Sequence, residues 1–138
     1  MIFVSTTFFP DNTDIKKVLE TCNENSITSI ELGSNHLYNE NYVDIVKNNS
    51  FNYLAHNYFF RPKNDFVINI ASTDSDILNN SINHIFKSID VCSMINAKMY
   101  TIHPGFLTDA ISESKSKSNY DFVWDDKKLL NINYEKCF

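Results

Sequence analysis

Residues 76–105 read DILNNSINHIFKSIDVCSMINAKMYTIHPG and place a long helical pattern directly before a short strand. We predict a helix over residues 76–96, because apolar side chains recur there at helical spacing. The predicted buried stripe consists of Leu78, Ile82, Ile85, Phe86, Ile89 and Cys92. His84 lies off this stripe, and we expect it to be exposed. KMYTI, at 98–102, is rich in strand-forming residues and ends at His103-Pro104-Gly105, which predicts a strand followed by a sharp turn.

The same alternation extends back to the N-terminus. Strands are predicted at 2–9, 28–32 and 52–55, with helices near 15–22 and 40–48 between them and a short extended piece at 66–71. Strands that alternate with helices are typical of a parallel sheet with crossover helices. We therefore predict one α/β domain over residues 1–138, with a mobile low-complexity segment at 112–119 and a last helix from Asp125.

Composition excludes several classes of protein. Hydrophobic residues make up 43% and aromatic residues 14% of the 138 residues, which is enough for a packed core and excludes a disordered chain. A net charge of -5 argues against a nucleic-acid binder. We find no apolar run of membrane-spanning length and no signal peptide. The three cysteines lack metal-site spacing, and we expect Cys22 and Cys92 to be buried free thiols in a cytoplasmic protein.

The ends of the predicted strands carry the candidate functional residues. Parallel strands end at one edge of the sheet, where ligands bind in such folds. Glu31, His36, His56 and His103 all follow or end a strand. Neutral imidazole suits divalent metals, so we expect His56 and His103 to face one cavity with Glu31 and His36 at its rim. The alternatives are histidines packed in structural turns and, for Glu31, a polar pair with the neighbouring strand.

Aromatic and basic residues near the same edge leave two interpretations open. Tyr58, Phe59 and Phe60, with Phe8 and Phe9, either wall an apolar pocket or fill the core. Arg61 and Lys63 either meet a substrate phosphate or are solvated loop charges, and we favour the second.

Three short motifs occur in one order along the chain: LAHNYF at 54–59, NIAS at 69–72 and TIHPGF at 101–106. Together with IELG at 30–33, their order and spacing resemble the xylose-isomerase-like TIM-barrel superfamily, which includes sugar phosphate isomerases, epimerases and endonuclease IV. The resemblance covers about residues 1–110. It implies a partial TIM barrel built of parallel β/α units, about half of the eight.

The resemblance also implies an activity: a metal-dependent isomerase or epimerase that transfers a proton at a carbon next to a carbonyl of a sugar or sugar phosphate. On this view Glu31 and His36 are catalytic, and His56 and His103 bind a divalent metal (Zn, Mn or Mg). His56, His103, Tyr58 and Asn69 bind the substrate. In the family, the metal-binding carboxylates and the general base come from the fifth strand onward. The 138 residues do not reach that strand, so we expect a truncated barrel that binds metal weakly and is inactive alone.

Two alternatives from other classes stay open. The chain is a non-catalytic fragment of a truncated or split gene, or it is an endonuclease IV-like abasic-site phosphodiesterase, which the net charge of -5 disfavours. Beyond a small sugar, the partner that we expect is a second copy of the chain. Open sheet edges at the first and fourth strands and an apolar sheet face predict self-association.

Overall fold

A computed structural model describes residues 2–57, 59–64, 66–112 and 123–124. Its elements, in chain order, are β1 (Val4–Ser5), a 3₁₀ helix (Thr6–Phe8), α1 (Ile15–Glu24), β2 (Ser29–Leu32), α2 (Tyr42–Lys47), β3 (Asn52–His56), α3 (Ser75–Met94), β4 (Tyr100–Thr101), β5 (Ala110–Ser112) and β6 (Val123–Trp124). The chain divides into two compact units. The first contains Met1–Lys63 and Lys87–Ile102, and the second contains Asn64–Phe86 and His103–Phe138.

A four-stranded parallel sheet forms the centre of the first unit, with the strand order β1-β2-β3-β4. Helices α1 and α2 connect the first three strands, and α3 lies between β3 and β4 in the chain. The predicted α/β class with parallel strands is therefore confirmed. Since the strands are parallel, their carboxyl ends all lie at one edge of the sheet, as the sequence predicts.

One face of this sheet is apolar. Successive side chains of a strand point to opposite faces, and Ile30, Leu32, Tyr53 and Ala55 all point to the same buried side. They share a core with Ile95, just after α3, and with residues of all three helices: Ile15, Val18, Leu19, Cys22, Tyr42, Val46, Val91 and Cys92. The predicted burial of Cys22 and Cys92 is confirmed, and burial raises the pKa of the Cys92 thiol to about 11.

The opposite face is mainly polar. It carries the alternate residues of β2 and β3 and, through the strand register, Ser5 and Thr101: Ser5, Ser29, Glu31, Asn52, Leu54, His56 and Thr101. We call these seven residues the polar face. The expected apolar second face is wrong, because the apolar positions of SIEL and NYLAH fall on alternate residues and supply one buried side only.

Helix α3 confirms the predicted long helix but not its predicted buried stripe. Phe86 is 61% exposed and Ile89 is 47% exposed, whereas Ser81, His84 and Ser88 are buried. The expectation that His84 is exposed is also wrong. The two serines are buried because loop backbone groups need hydrogen-bond partners there. The hydroxyl of Ser81 accepts from the Asn69 amide, and that of Ser88 donates to the Phe59 carbonyl.

The second unit contains an antiparallel pair, β5 and β6, in which Ala110 pairs with Trp124. The sequence did not predict this pair, and residues 66–71 contain no strand where an extended piece was predicted. The predicted mobile segment lies outside the described residues apart from Ser112, and so does the predicted helix from Asp125. Within the described ranges, no helix combines the length and apolar character that crossing a membrane requires.

Candidate functional site

The loops that follow β1 and β2 are tied together at the carboxyl edge of the sheet. The Gly33 amide donates to the Thr6 hydroxyl at 2.8 Å. The side-chain amide of Asn35 donates to the carbonyls of Thr6 and Phe9, both at 3.0 Å. These hydrogen bonds hold the backbone of the two loops in place and so define the positions of the side chains beside them.

Arg61, in the loop after β3, joins the same loops. Its guanidinium donates to Asn12 Oδ1 at 2.8 Å and to the His36 carbonyl at 3.1 Å. Arg61 is also partly buried. The interpretation of Arg61 as a solvated loop charge is therefore wrong, because its fork of donors serves the loops of the other two strands.

Glu31 forms the predicted polar pair with the neighbouring strand. The Ser5 hydroxyl lies 3.3 Å from Glu31 Oε1 and 2.9 Å from the Thr7 hydroxyl. Ser5 and Glu31 are register partners, so both side chains lie on the polar face. An ionised carboxylate has about four acceptor sites, so this contact is compatible with a further bond from Glu31 to a ligand.

His36 lies inside the loop after β2 rather than at a rim. It is 2% exposed and stacks on the ring of Tyr42. Its Nδ1 is 2.8 Å from the Leu37 carbonyl, which can only accept, so Nδ1 carries the proton. Its Nε2 has no hydrogen-bond partner among the described residues. The predicted catalytic role of His36 stays a prediction, and the structure places this ring away from solvent.

The charge state of His36 follows from these surroundings. Burial lowers the pKa of the ring, and the Arg61 guanidinium lowers it further. The backbone of Leu37 and of Gly33 and the carboxylate of Asp14 act in the opposite direction. The net direction is downward, so His36 is neutral at pH 7.

His56 ends β3 and lies on the polar face, two residues along the strand from Leu54, the register partner of Glu31. Strand spacing and rise place the Cα atoms of Glu31 and His56 about 8 Å apart on this diagonal. His56 Nδ1 is 3.0 Å from the Thr101 hydroxyl. An imidazole and a carboxylate on the same face at this separation can contact one sugar-sized ligand.

The aromatic residues after β3 contribute mainly to the core. Phe59 is fully buried, and Phe60 packs against the core from a partly buried position. The Tyr100 hydroxyl donates to the Asn57 carbonyl at 2.7 Å and so fixes the start of this loop. Of the two interpretations left open, core filling holds for Phe59. Tyr58, a predicted substrate contact, lies outside the described residues.

Asn69 is the centre of a hydrogen-bond network in the second unit. It is 1% exposed, and its Oδ1 accepts from the amides of Phe106 at 2.9 Å and Ala71 at 3.1 Å. Its Nδ2 donates to Asp109 Oδ1 at 2.8 Å, and Asp109 Oδ2 accepts from Ser72 at 2.7 Å. Both polar atoms of the Asn69 side chain therefore hold protein groups. The predicted contact of Asn69 with a substrate stays a prediction.

Gly105, in the His-Pro-Gly turn, allows this network to form. Its φ is +143°, which side chains rarely adopt, and a Cβ there would collide with Asn69 Oδ1 and lie 3.1 Å from the Ala71 amide nitrogen. His103, two residues earlier, is exposed. His103 belongs to the second unit and His56 to the first, so their convergence on one metal remains a prediction.

The second unit also has a shallow cavity of about 350 Å³. Its lining is Gly105, Phe106, Leu107, Thr108 and Trp124. Two of these five residues are aromatic, and the ring centroids of Phe106 and Trp124 are 4.8 Å apart.

The sequence analysis did not identify two residues that hydrogen-bond to candidate site residues: Thr101, which contacts His56, and Asp109, which contacts Asn69. Thr101 contacts His56 because the two are register partners, and a register is not readable from one strand alone. Asp109 contacts Asn69 across 40 residues of sequence. The signal for Thr101 was its place at the start of TIHPG, two residues before His103, on the strand after the one that carries His56.

Comparison with known proteins gives no match: no family model fits the chain, and no curated protein or solved structure is significantly similar to it. Within the described ranges, no three His, Cys, Asp or Glu side chains are grouped so that they could hold a metal ion. The candidate site therefore consists of the polar face of the sheet and the hydrogen-bonded loops at its carboxyl edge.

Proposed function

We propose that the chain forms half of an isomerase-type (β/α)8 barrel, with the polar face of the sheet lining the barrel interior. Four parallel strands separated by helices are half of the eight units of such a barrel. In a closed barrel one face of the sheet meets the helices and the other faces inward. The division of this sheet into an apolar face packed on helices and a polar face supports the proposal.

The proposed reaction is the isomerisation or epimerisation of a sugar or sugar phosphate. The resemblance carried by LAHNYF, NIAS and TIHPGF supports this reaction class. The observation on which it depends most is the position of Glu31 and His56 on one face, about 8 Å apart on the strand diagonal. A sugar that lies on this face can hydrogen-bond to both side chains.

The residues fit a divalent cation in kind, since imidazole and carboxylate are ligands that such metals accept. His56 is the ligand proposed in the first unit and His103 the ligand proposed in the second. A bound cation would polarise the oxygens of the substrate. The chain's own contribution is to accept hydrogen bonds from substrate hydroxyls at Glu31, and to keep the carboxylate in place through Ser5.

Titration calorimetry with Mn²⁺ and with Zn²⁺ tests the metal part of the proposal. We expect weak binding by the wild type, reduced about tenfold or more in His56→Ala and abolished in the double variant His56→Ala/His103→Ala. Lys63→Ala, an exposed change, is the matched control and should bind as the wild type does. Binding that is unchanged in the double variant would show that the metal site lies elsewhere.

Chemical-shift mapping with a panel of pentose and hexose phosphates tests the sugar part. We expect shifts at Glu31, Leu54, His56 and Thr101 that Glu31→Gln removes. Glu24→Gln, at the end of α1, changes the charge equally but away from the polar face, and it should preserve the shifts. Shifts confined to residues of the apolar face or the helices would contradict the proposal, and shifts with an abasic-site DNA but no sugar would favour the phosphodiesterase.

A further inference from the structure

The ring of His56 is held by a contact from the neighbouring strand. Thr101 is the register partner of His56, so both side chains project from the same face. The Thr101 hydroxyl oxygen lies 3.0 Å from His56 Nδ1 and 3.5 Å from the Ala55 carbonyl oxygen. Thr101, on β4, therefore contacts Nδ1, which is the ring nitrogen nearer to the His56 backbone.

The contact of Thr101 with His56, together with the longer contact with Ala55 at the limit of hydrogen-bond length, favours one tautomer. A hydroxyl has one proton to donate, and a carbonyl can only accept. When the Thr101 proton points to Ala55, its oxygen accepts from His56, and Nδ1 must then carry the proton. When the Thr101 proton points to His56 instead, Nδ1 accepts it and the ring carries its own proton on Nε2. The Thr101 and Ala55 oxygens then face each other without a hydrogen between them. Only the first arrangement satisfies both contacts.

We infer that Thr101 is a positioning residue that fixes His56 as the Nδ1–H tautomer, with Nε2 as the basic nitrogen at the carboxyl edge of the sheet. A histidine that binds a metal or accepts a proton needs an unprotonated nitrogen, and a hydrogen bond at the other nitrogen decides which one it is. Thr101 supplies that hydrogen bond from β4. This inference deepens the proposed function: the role of Nε2 as a metal ligand or proton acceptor rests on that function. The tautomer of His56 does not depend on it.

Long-range ¹H–¹⁵N correlation spectra of the imidazole groups, recorded on the full chain without metal or sugar, test the inference directly. His56→Gln identifies the signals of His56. In the wild type we expect the pattern of the Nδ1–H tautomer at pH values where the ring is neutral. A wild-type ring with its proton on Nε2 would overturn the inference, whatever the metal experiments show.

Two substitutions test whether Thr101 is the cause. Thr101→Val removes the hydroxyl at nearly constant shape, and we expect the single tautomer to become a mixture of both. Thr101→Ser retains a hydroxyl and should keep the wild-type pattern. Backbone amide spectra establish that each variant is folded. An unchanged Nδ1–H population in a folded Thr101→Val protein would show that another group fixes the ring.

A metal titration of the same variants separates this inference from the proposed function. We expect Thr101→Val to bind Mn²⁺ and Zn²⁺ more weakly than Thr101→Ser does, by the inverse of the fraction of His56 rings that keep Nε2 unprotonated, which is about twofold for an equal mixture of tautomers. A changed tautomer with unchanged metal binding would preserve the role of Thr101 and contradict the role of His56 as a ligand.

Discussion

The imidazole of His36 stacks on the phenol ring of Tyr42, with ring centroids 4.5 Å apart and planes inclined by 17°. The pair connects the loop after β2 to the first turn of α2, and both side chains are buried. Arg61, in the loop after β3, donates to the His36 carbonyl of the same loop. A buried titratable ring thus lies in the loop after β2, and we expect the stability of this edge of the sheet to depend on pH.

We expect the protein to lose stability as the pH falls below about 6.5, the ordinary pKa of histidine. Burial and Arg61 lower the pKa of His36 in the folded state, so the unfolded state binds more protons in the window between the folded and unfolded values. The free energy of unfolding therefore decreases as the pH falls through that window and is fully retained above it. Urea denaturation at pH values from 7.5 to about 5 measures this slope.

His36→Phe provides the decisive comparison for that slope. Phenylalanine keeps an aromatic ring beside Tyr42 but does not titrate, so the slope should become shallower although the absolute stability is lower. His103→Gln removes an exposed histidine and should follow the wild-type curve. A slope that is the same in wild type and His36→Phe would mean that another group causes the pH dependence.

Asn69→Ala should destabilise the protein by about 3 kcal/mol, because it leaves the amides of Phe106 and Ala71 without their acceptor in a buried place. Asn69→Asp keeps the shape but places a carboxylate against Asp109, and it should destabilise as well. Asn64→Ala, an exposed change in the same unit, is the control and should stay within about 0.5 kcal/mol. Denaturant midpoints at constant m-value test the three variants. A neutral Asn69→Ala would show that the network adds little to stability.

The two glycines should respond differently to alanine. At Gly105 a Cβ meets Asn69 Oδ1 and the backbone has a φ of +143°, so we expect Gly105→Ala to cost about 2 kcal/mol or more. At Gly33 a Cβ would lie 3.0 Å from Thr7 Cγ2 and 3.4 Å from the Thr6 hydroxyl, and Thr7 is exposed and can shift. Gly33→Ala should therefore cost less. Thermal denaturation ranks the two, and the reverse order would contradict the local geometry of the turn.

The sequence was sufficient for the parallel sheet and the long helix, because hydrophobic periodicity reports secondary structure directly. It was insufficient for the side chains that α3 buries. The stripe through Phe86 and Ile89 counts apolar residues only, whereas Ser81 and Ser88 are buried to serve the backbone of distant loops. Such a demand arises from tertiary structure, and no period in the helix sequence records it.

The candidate site shows the same limit. Glu31 and His56 were predicted from their places at strand ends, and the alternation of strands and helices along the sequence is enough to locate those ends. Their partners, Ser5 and Thr101, depend on the register of neighbouring strands. The predicted edge of the sheet is correct for His36, but the ring turns inward onto Tyr42, because stacking and the hydrogen bond to Leu37 favour the buried position.

We expect the chain to self-associate through the outer strands of its sheet. Within the described ranges, β1 pairs with β2 alone and β4 with β3 alone, so each outer strand has one edge of backbone groups available for pairing. The second sheet face is polar, so the edges rather than an apolar face supply the attraction. Light scattering coupled to gel filtration should give a dimer or larger species whose mass increases with protein concentration.

Charges beside the outer strands should oppose this association, because a lysine at an edge disfavours pairing with another strand. Ile2 and Met99 are exposed apolar residues next to β1 and β4, and the double variant Ile2→Lys/Met99→Lys should shift the population to monomer. Leu37→Lys replaces an exposed apolar residue in the loop after β2, away from both edges, and should associate as the wild type does. If the wild type is a monomer across the whole concentration range, or if Leu37→Lys disperses it equally well, pairing of the outer strands is not the cause.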